Sequence, residues 1–388
     1  MLERYDVVIV GAGIAGASLA FFLVERGLRV IVLERGTPAS GGTGLSAAIV
    51  RQHYSTRLMA RLALRSVRLF QSAQQRLGRD AGYRAVGYYF LSPPDALART
   101  LVNLQMQREI GINTTLIGPA DFAARLPWLN ADGVAGAAFE PESGFADPVT
   151  ATNAFLDSAV ERGANVRTRC PVRSLLREGH RITGVETDHD AIVADWTVNA
   201  AGPWSALLAA SAGLPMTMRT VREQDTVWEV RPDRPMPHQS VSNAVDAIYI
   251  RPLGERRFVV GRGFPKVYTD VDPYNFKQTV DDDFVHDIEE RMTLRLPGFI
   301  SARLVHSYAA LYDVTADWYP YVGPRKGIVG YADFCGGSGH GFKIAPAIAE
   351  ELAGWIAEGK VAEDFCNLSH DRVADGALFI QSYGGNRG

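Results

Sequence analysis

Three glycines near the start of the chain, Gly11, Gly13 and Gly16, are spaced as G-x-G-x-x-G between an apolar β-type run, Val7 to Val10, and a helical pattern. That spacing suits a pyrophosphate. Gly11 permits a tight turn, Gly13 lets the backbone come close to the phosphates, and Gly16 lets the helix pack tightly on the strand. The free N–H groups at the helix start, around Ile14 and Ala15, then face the phosphates, with the positive end of the helix dipole behind them. A second strand, Arg29 to Leu33, runs into Glu34 and Arg35, and the Glu34 carboxylate can accept hydrogen bonds from both hydroxyls of an adenosine ribose. The uncharged stretch Val7 to Val24 is also long enough to raise the question of a membrane span. Strand, turn, helix, Gly27 stop, second strand and acid in that order read instead as the opening of a nucleotide-binding domain.

A second glycine-rich loop lies far along the chain: Cys335-Gly336-Gly337-Ser338-Gly339-His340-Gly341-Phe342-Lys343, leading into a helix from Ile344 to Ile356. Small residues at a helix N-terminus make a place where a flavin ring can lie against backbone, and the helix favours negative charge there. No second G-x-G-x-x-G occurs in a strand–turn–helix context, so a single dinucleotide is expected.

The elements that must position these loops show βαβ character at both ends of the chain and something different in the middle. Helices are expected over Ser55–Leu77, Pro94–Ile110 and Pro148–Gly163, the first with Arg57, Arg61, Arg65 and Arg68 along a solvated face. Tyr83–Leu91, Asn165–Val172, Arg181–Thr187, Asp195–Val198 and Thr226–Val230 read as strands. Ala247–Arg251 and Arg257–Gly261 form an antiparallel pair. The fold expected is α/β: a discontinuous Rossmann-type dinucleotide-binding domain (1–82, 145–217 and 308–388) with a mixed antiparallel-sheet substrate domain (83–144 and 218–307). A net charge of −3 gives no case for nucleic acid or an anionic membrane surface. Cys170, Cys335 and Cys366 are too scattered for a metal motif and too few for a disulfide framework, which points to a reducing compartment. With no charged leader and no recognisable address in the terminal 386–388, a cytoplasmic location is expected.

With these motifs in view, the chain resembles the flavin-dependent amine and amino-acid oxidases that include D-amino-acid oxidase, glycine oxidase and the sarcosine oxidases. The resemblance runs over essentially its whole length. It is carried by the N-terminal fingerprint, by Gly41-Gly42-Thr43-Gly44-Leu45-Ser46-Ala47-Ala48-Ile49-Val50-Arg51, by Asn199-Ala200-Ala201-Gly202 with Trp204 beyond, and above all by Gly337-Ser338-Gly339-His340-Gly341-Phe342-Lys343, which is most similar to the sarcosine oxidases. Tyr312-Asp313-Val314-Thr315-Ala316-Asp317-Trp318-Tyr319-Pro320 adds to it. The resemblance implies bound FAD, held by these segments and by Val172, and oxidation of a carbon–nitrogen bond. It also implies that Arg51 and Lys343 stand where the sarcosine oxidases hold the substrate carboxylate. A two-point cationic clamp of this kind fixes an amino acid with its α-hydrogen over the flavin. His53 and Arg251 are further candidates for the substrate side, His306 and Tyr308 weaker ones, and His340 is expected to orient its loop.

The chain also departs from the family pattern. Where some sarcosine oxidases attach flavin through a cysteine, Ala310-Leu311-Tyr312-Asp313 has no thiol, and Leu45 stands where related enzymes use a histidine. Non-covalent FAD is therefore expected. The lysine that promotes reaction with oxygen in monomeric sarcosine oxidase aligns near Val259, which leaves oxygen or another acceptor open. The function expected is oxidation of a small amino acid, most directly a secondary or N-substituted one of the sarcosine, glycine or iminodiacetate type, to an imine. The alternatives are an FAD-dependent 2-hydroxy-acid dehydrogenase, which would want a base for the hydroxyl proton, and a catalytically silent flavoprotein serving as an assembly factor. Acid precipitation should release intact FAD into the supernatant; yellow colour remaining in the washed pellet would show a covalent bond.

Overall fold

A computed structural model describes residues 4–254 and 256–380. The outermost ends of the expected first domain, 1–3 and 381–388, and with them the terminal 386–388, lie outside the described residues. The apolar run at the N-terminus becomes the strand Arg4–Val10, in parallel register with Val30–Leu33 on one side and Ala191–Asn199 on the other. Asn165–Arg167 and Tyr331–Cys335 extend this sheet in parallel, and Tyr321–Pro324 closes it antiparallel. Val7 and Ile9 pack with the helices, whereas Val8 and Val10 pack with the opposite layer. Burial on both faces explains why the strand is apolar at every position instead of alternating.

The helices Ile14–Val24, Pro148–Glu161 and Gly341–Glu358 cover one face of this sheet. The strands Val172–Glu178 and Arg181–Thr187 and the short helix Ser205–Ala210 cover the other. The uncharged stretch that raised the question of a span is divided between a strand and a helix of 11 residues. Among the described residues no helix is long and apolar enough to cross a membrane.

A second sheet roofs the first. Its order is Thr269–Asp270, Met218–Glu229, Arg257–Arg262, Ile248–Gly254, Ser240–Asn243, Tyr88–Ser92, Gly136–Glu140, Thr115–Ile117, with Arg303–Thr315 also paired to Met218–Glu229. All its pairings are antiparallel except that of Ser240–Asn243 with Tyr88–Ser92. Two separate stretches of chain build it, and Met218 begins the second of them, next to the expected boundary. The other expected boundary, 307/308, falls inside the strand Arg303–Thr315, which belongs to the roof.

Several elements differ from the sequence reading, each for a local reason. The helix expected over Ser55–Leu77 is two, Arg57–Gln71 and Ala73–Leu77, broken where the Ser72 hydroxyl donates to the Arg68 carbonyl at 2.7 Å and competes with the helix ladder. Arg57, Arg61 and Arg65 pair with Glu109, Asp364 and Glu350, as a solvated face would. Regular pairing in the segment expected from Tyr83 starts only at Tyr88. The strand expected over Asn165–Val172 stops at Arg167, and Arg169, at φ 53°, turns the chain into Val172–Glu178, a strand whose charged edge conceals it in the sequence. Met218–Glu229 extends well before Thr226 because its polar residues, Arg222, Glu223 and Asp225, have partners in place: Asp281, Lys266 and Tyr249.

The stretch before the second glycine loop is anchored by a buried ion pair. Arg372 donates Nε to Asp317 Oδ2 at 2.8 Å and Nη2 to Asp317 Oδ1 at 2.9 Å, with the two side chains 3% and 1% exposed. The rest of the guanidinium is spent on the carbonyls of Tyr319, Pro320 and Leu368. Removing one partner strands the other's charge in the interior, at a cost of about 3–5 kcal/mol. Asp317→Ala should therefore lower the urea midpoint of unfolding by an amount equivalent to about 3 kcal/mol or more, and an unchanged midpoint would contradict this account.

Candidate active site

The first strand ends at Gly11, whose φ of 107° only glycine adopts readily, and a Cβ there would run into the Ala200 carbonyl. At Gly13 a Cβ would come within 2.9 Å of Thr43 Oγ1, which accepts the Ile14 N–H at 3.2 Å. Gly16 faces inward: its missing side chain leaves room for the Gly11 carbonyl. Glu34, at the tip of the second strand, accepts the Ala12 N–H on Oε2 at 2.9 Å and the Gly36 N–H on Oε1 at 2.7 Å. A carboxylate has about four acceptor positions, so two remain for a ribose. Beside it the Arg35 guanidinium lies 3.5 Å from the centre of the Trp204 ring and 5.7 Å from that of Tyr274.

These residues form one end of a cleft of ≈ 350 Å³ whose other end is the second glycine loop. Gly11, Gly13, Ile14, Ala15, Glu34, Arg35, Thr43 and Ser46 line it from the N-terminal segments. Val172, Ala200, Ala201, Gly202 and Trp204 line it too, and Gly337, Gly339, Gly341 and Phe342 line it from the second glycine loop. The far loop is held open by Asp313, which accepts the Gly336 N–H on its side chain and the Ser338 N–H on its backbone. Other expected cofactor residues serve as supports. The Gly44 N–H donates to the Ala39 carbonyl. The Ser338 hydroxyl accepts the Thr315 N–H at 3.2 Å. The His340 ring bridges the Tyr54 hydroxyl and the Trp318 carbonyl at 3.1 and 2.7 Å. Burial, aided by Lys343 and Arg51, pushes His340 down to about 3, so its ring is neutral. An N–H on Nε2 facing the carbonyl leaves Nδ1 to accept from the tyrosine.

The cleft suits an FAD. It is long, bordered by backbone and small residues, has a helix N-terminus at each end, and carries an acid for the ribose. The buried Trp204 Nε1–H, which lines it, has no acceptor among the described residues. A donor left over in a cleft wall is what a ligand rich in acceptors would satisfy. Among the described residues no group of three or more His, Cys, Asp or Glu side chains is placed to hold a metal ion.

A second, smaller cavity of ≈ 90 Å³ opens beneath the roof and shares Ser46, Tyr312, Gly339 and Phe342 with the cleft. Ala47, Ala48 and Ile49, expected at the cofactor, line this space instead. Arg51 and Lys343 both face it, 6% and 7% exposed, and none of its lining residues is acidic. Arg51 is held by the His53 carbonyl and lies 4.6 Å from the centre of the Tyr54 ring. Lys343 Nζ donates to the His340 carbonyl at 3.4 Å. Burial, with Arg51 nearby, pushes the Lys343 ammonium well below its ordinary range.

Arg251 and His53 do not line this cavity. Arg251 turns to the segment 145–146, donating to the Ala146 carbonyl at 2.9 Å and lying 4.3 Å from the centre of the Phe145 ring. His53 stacks on Phe90 at 4.5 Å, and burial followed by the nearby Arg51 pushes it down to about 3. His306 and Tyr308 line neither space. Val259, near which the resemblance puts the counterpart of the oxygen-promoting lysine of monomeric sarcosine oxidase, is buried in its strand. The lysine of this region is Lys266, paired with Glu223 and 5.7 Å from the centre of the Tyr312 ring. The sequence reading did not single out Tyr88, Phe90, Ser242, Asn243, Tyr249 and Phe264 as cavity residues, nor Tyr274 and Arg173 at the cleft. Only Tyr88 and Phe90, alternating in an aromatic strand, carried a signal.

A dinucleotide cradle whose far end opens beneath a second sheet is the build of a flavin-dependent oxidoreductase. Comparison with known proteins places the chain there: it belongs to the FAD dependent oxidoreductase (DAO) family, which matches residues 6–355. It is 28% identical to FAD-dependent oxidoreductase domain-containing protein 1 of Bos taurus, over 92% of this chain and 82% of that one. It is 26% identical to sarcosine oxidase subunit beta of an Arthrobacter species, over 97% and 93% of the two chains. Among solved structures it resembles L-proline dehydrogenase from P. horikoshii, with 27% identity and a TM-score of 0.89 over 98% of this chain and 100% of that one.

Glu34 acts on the cleft twice, by ordering the Gly11–Gly13 turn and by offering acceptors to the ribose. Glu34→Ala should weaken FAD binding by about tenfold or more, measured by fluorescence titration of the deflavinated protein. The protein that still carries FAD should be reduced at close to the normal rate; an unchanged FAD affinity would place the ribose elsewhere.

Proposed function

We propose that this protein oxidises the carbon–nitrogen bond of a small amino acid, most directly a secondary or N-substituted one, to the imine, which then hydrolyses to a carbonyl compound and an amine. The observation that carries this reading is the convergence of two buried basic side chains, Arg51 and Lys343, on a small cavity that has no acidic residue in its lining and shares a wall with the cofactor cleft. A carboxylate suits such a place, because a guanidinium and an ammonium can both donate to its oxygens. The volume of ≈ 90 Å³ favours a small substrate. Sarcosine and proline, the amino acids after which two relatives are named, are both secondary amino acids.

FAD, held in the cleft by the residues named above, would supply the two-electron sink for this oxidation, with oxygen or another acceptor as the final oxidant. The protein's own groups do the rest. Arg51 and Lys343 fix the carboxylate and so the α-carbon, while Tyr88, Phe90 and Phe264 keep water from it. The amine must be neutral, since a protonated nitrogen has no lone pair to give as the hydride leaves. Non-covalent FAD is supported by Leu45, Ala310 and Leu311 at the attachment positions of relatives. Cys335, which lines the cleft, is held as an unreactive thiol because burial raises it well above its usual range.

The test is anaerobic titration of the yellow protein with D-, L- and N-alkyl amino acids and with hydroxy acids, followed by flavin bleaching. Bleaching by hydroxy acids alone, or by nothing, would overturn the proposal. Lys343→Met and Arg51→Lys should each weaken the best substrate and carboxylate inhibitors by about tenfold to a hundredfold. The corresponding decarboxylated amine should be almost indifferent to both changes, and an equal loss for amine and acid would remove the clamp.

A further inference from the structure

One row of residues crosses the roof from strand to strand. Asp225 on Met218–Glu229 is opposite Gly261 on Arg257–Arg262, and Gly261 is opposite Tyr249 on Ile248–Gly254. Across the middle strand the Tyr249 hydroxyl donates to Asp225 Oδ1 at 2.5 Å. That contact exists because the middle residue is glycine: a Cβ on Gly261 would overlap both the carboxylate oxygen and the tyrosine hydroxyl. Tyr249 lines the substrate cavity, and Asp225 lies behind it, 4% exposed.

A buried carboxylate held by the hydroxyl of a residue that lines the cavity has no part in the clamp or the cofactor cleft. The proposed reaction, however, leaves a proton unassigned. An amino acid arrives with its nitrogen protonated and must lose that proton before hydride can leave. We infer that Tyr249 and Asp225 take it: the substrate N–H bond breaks as an O–H bond forms on Tyr249, while the Tyr249 proton passes to Asp225 Oδ1. The nitrogen keeps the electron pair, so the step is a proton transfer with no redox change, and the two-electron oxidation follows from the neutral amine. This rests on the amine-oxidation reading above.

The surroundings of Asp225 suit an acceptor. Its own strand contributes Glu223, paired with Lys266 from beyond the neighbouring strand. Arg303–Thr315 contributes Tyr308, opposite Asp225 in register, and Tyr312, which hydrogen-bonds with Tyr249. Burial pushes Asp225 up to about 6, with the Tyr249 hydrogen bond and Lys266 holding it back and Glu223 adding to the rise. Above that pH the carboxylate can accept a proton; below it the carboxyl is already protonated and the substrate stays an ammonium ion. His53 and His340, both pushed down to about 3, are much weaker bases. Lys343, whose ammonium burial pushes well below its ordinary range, faces the same cavity, and Lys343→Met separates its part in the pH profile from that of Asp225.

The experiment is the pH profile of anaerobic flavin reduction by the best amine substrate, in FAD-loaded wild type, Asp225→Asn and Tyr249→Phe. Wild type should lose rate on the acid side with a midpoint near 6. Asp225→Asn should be slower by about a hundredfold at neutral pH and recover at alkaline pH, as the substrate amine loses its proton to solvent. Tyr249→Phe should show the same displaced profile with Asp225 intact. A merely structural role would instead lower the rate evenly at every pH. That result, a wild-type profile in Asp225→Asn, or a limb that vanishes in Lys343→Met rather than in Asp225→Asn, would overturn the inference while leaving the amine reading in place. Wild type that no amine reduces at any pH would overturn both.

Discussion

Two basic side chains held out of water, Arg51 and Lys343, set the terms on which the rest of the site is built. Burying a cationic group is expensive, and the nearby Arg51 makes the Lys343 ammonium more so. The structure carries this cost by rigidity around the pair. Arg51 is fixed by a carbonyl and a ring face, and Lys343 is held in the first turn of a helix whose entry loop is tied down by Asp313, Ser338 and His340. The buried Arg372–Asp317 pair anchors the segment leading to that loop. For the proposed reaction this arrangement would serve as an anion hole of fixed shape, preorganised by groups that never touch its ligand.

The cofactor half of this arrangement was legible in the sequence because its demands are local. Gly11, Gly13 and Gly16 answer backbone requirements a few residues apart, and Glu34 follows at the tip of the next strand. The loop 335–343 could be read for the same reason. The substrate half was not legible, since its walls come from strands distant in sequence and ordinary in composition. Tyr249, Ser242 and Phe264 meet only through sheet register. Alternation also assigns a face without saying where on it a cavity ends. Arg251 shares the parity of Tyr249 on the same strand, yet one step further along its guanidinium reaches the Ala146 carbonyl instead of the cavity.

The polar middle of Met218–Glu229 obscured the longer strand in the same way. Arg222, Glu223 and Asp225 read as turn or surface, and only the folded chain shows that each has a partner in place. Gly261 in the neighbouring strand would ordinarily count as a weakness in a sheet. Here its bareness lets two functional groups meet across it, the same use of a missing side chain that admits a pyrophosphate at Gly13.

The wall common to the two cavities, made of Ser46, Tyr312, Gly339 and Phe342, makes their occupancies interdependent. A cofactor seated in the cleft completes one side of the space beneath the roof, so a carboxylate ligand meets a different surface in the loaded protein than in the bare one. Whatever factor this adds to the ligand's affinity must by thermodynamic reciprocity be added to the cofactor's as well. An inhibitor that binds the loaded protein more tightly than the bare one therefore raises the flavin's affinity by the same factor, without touching its adenosine end.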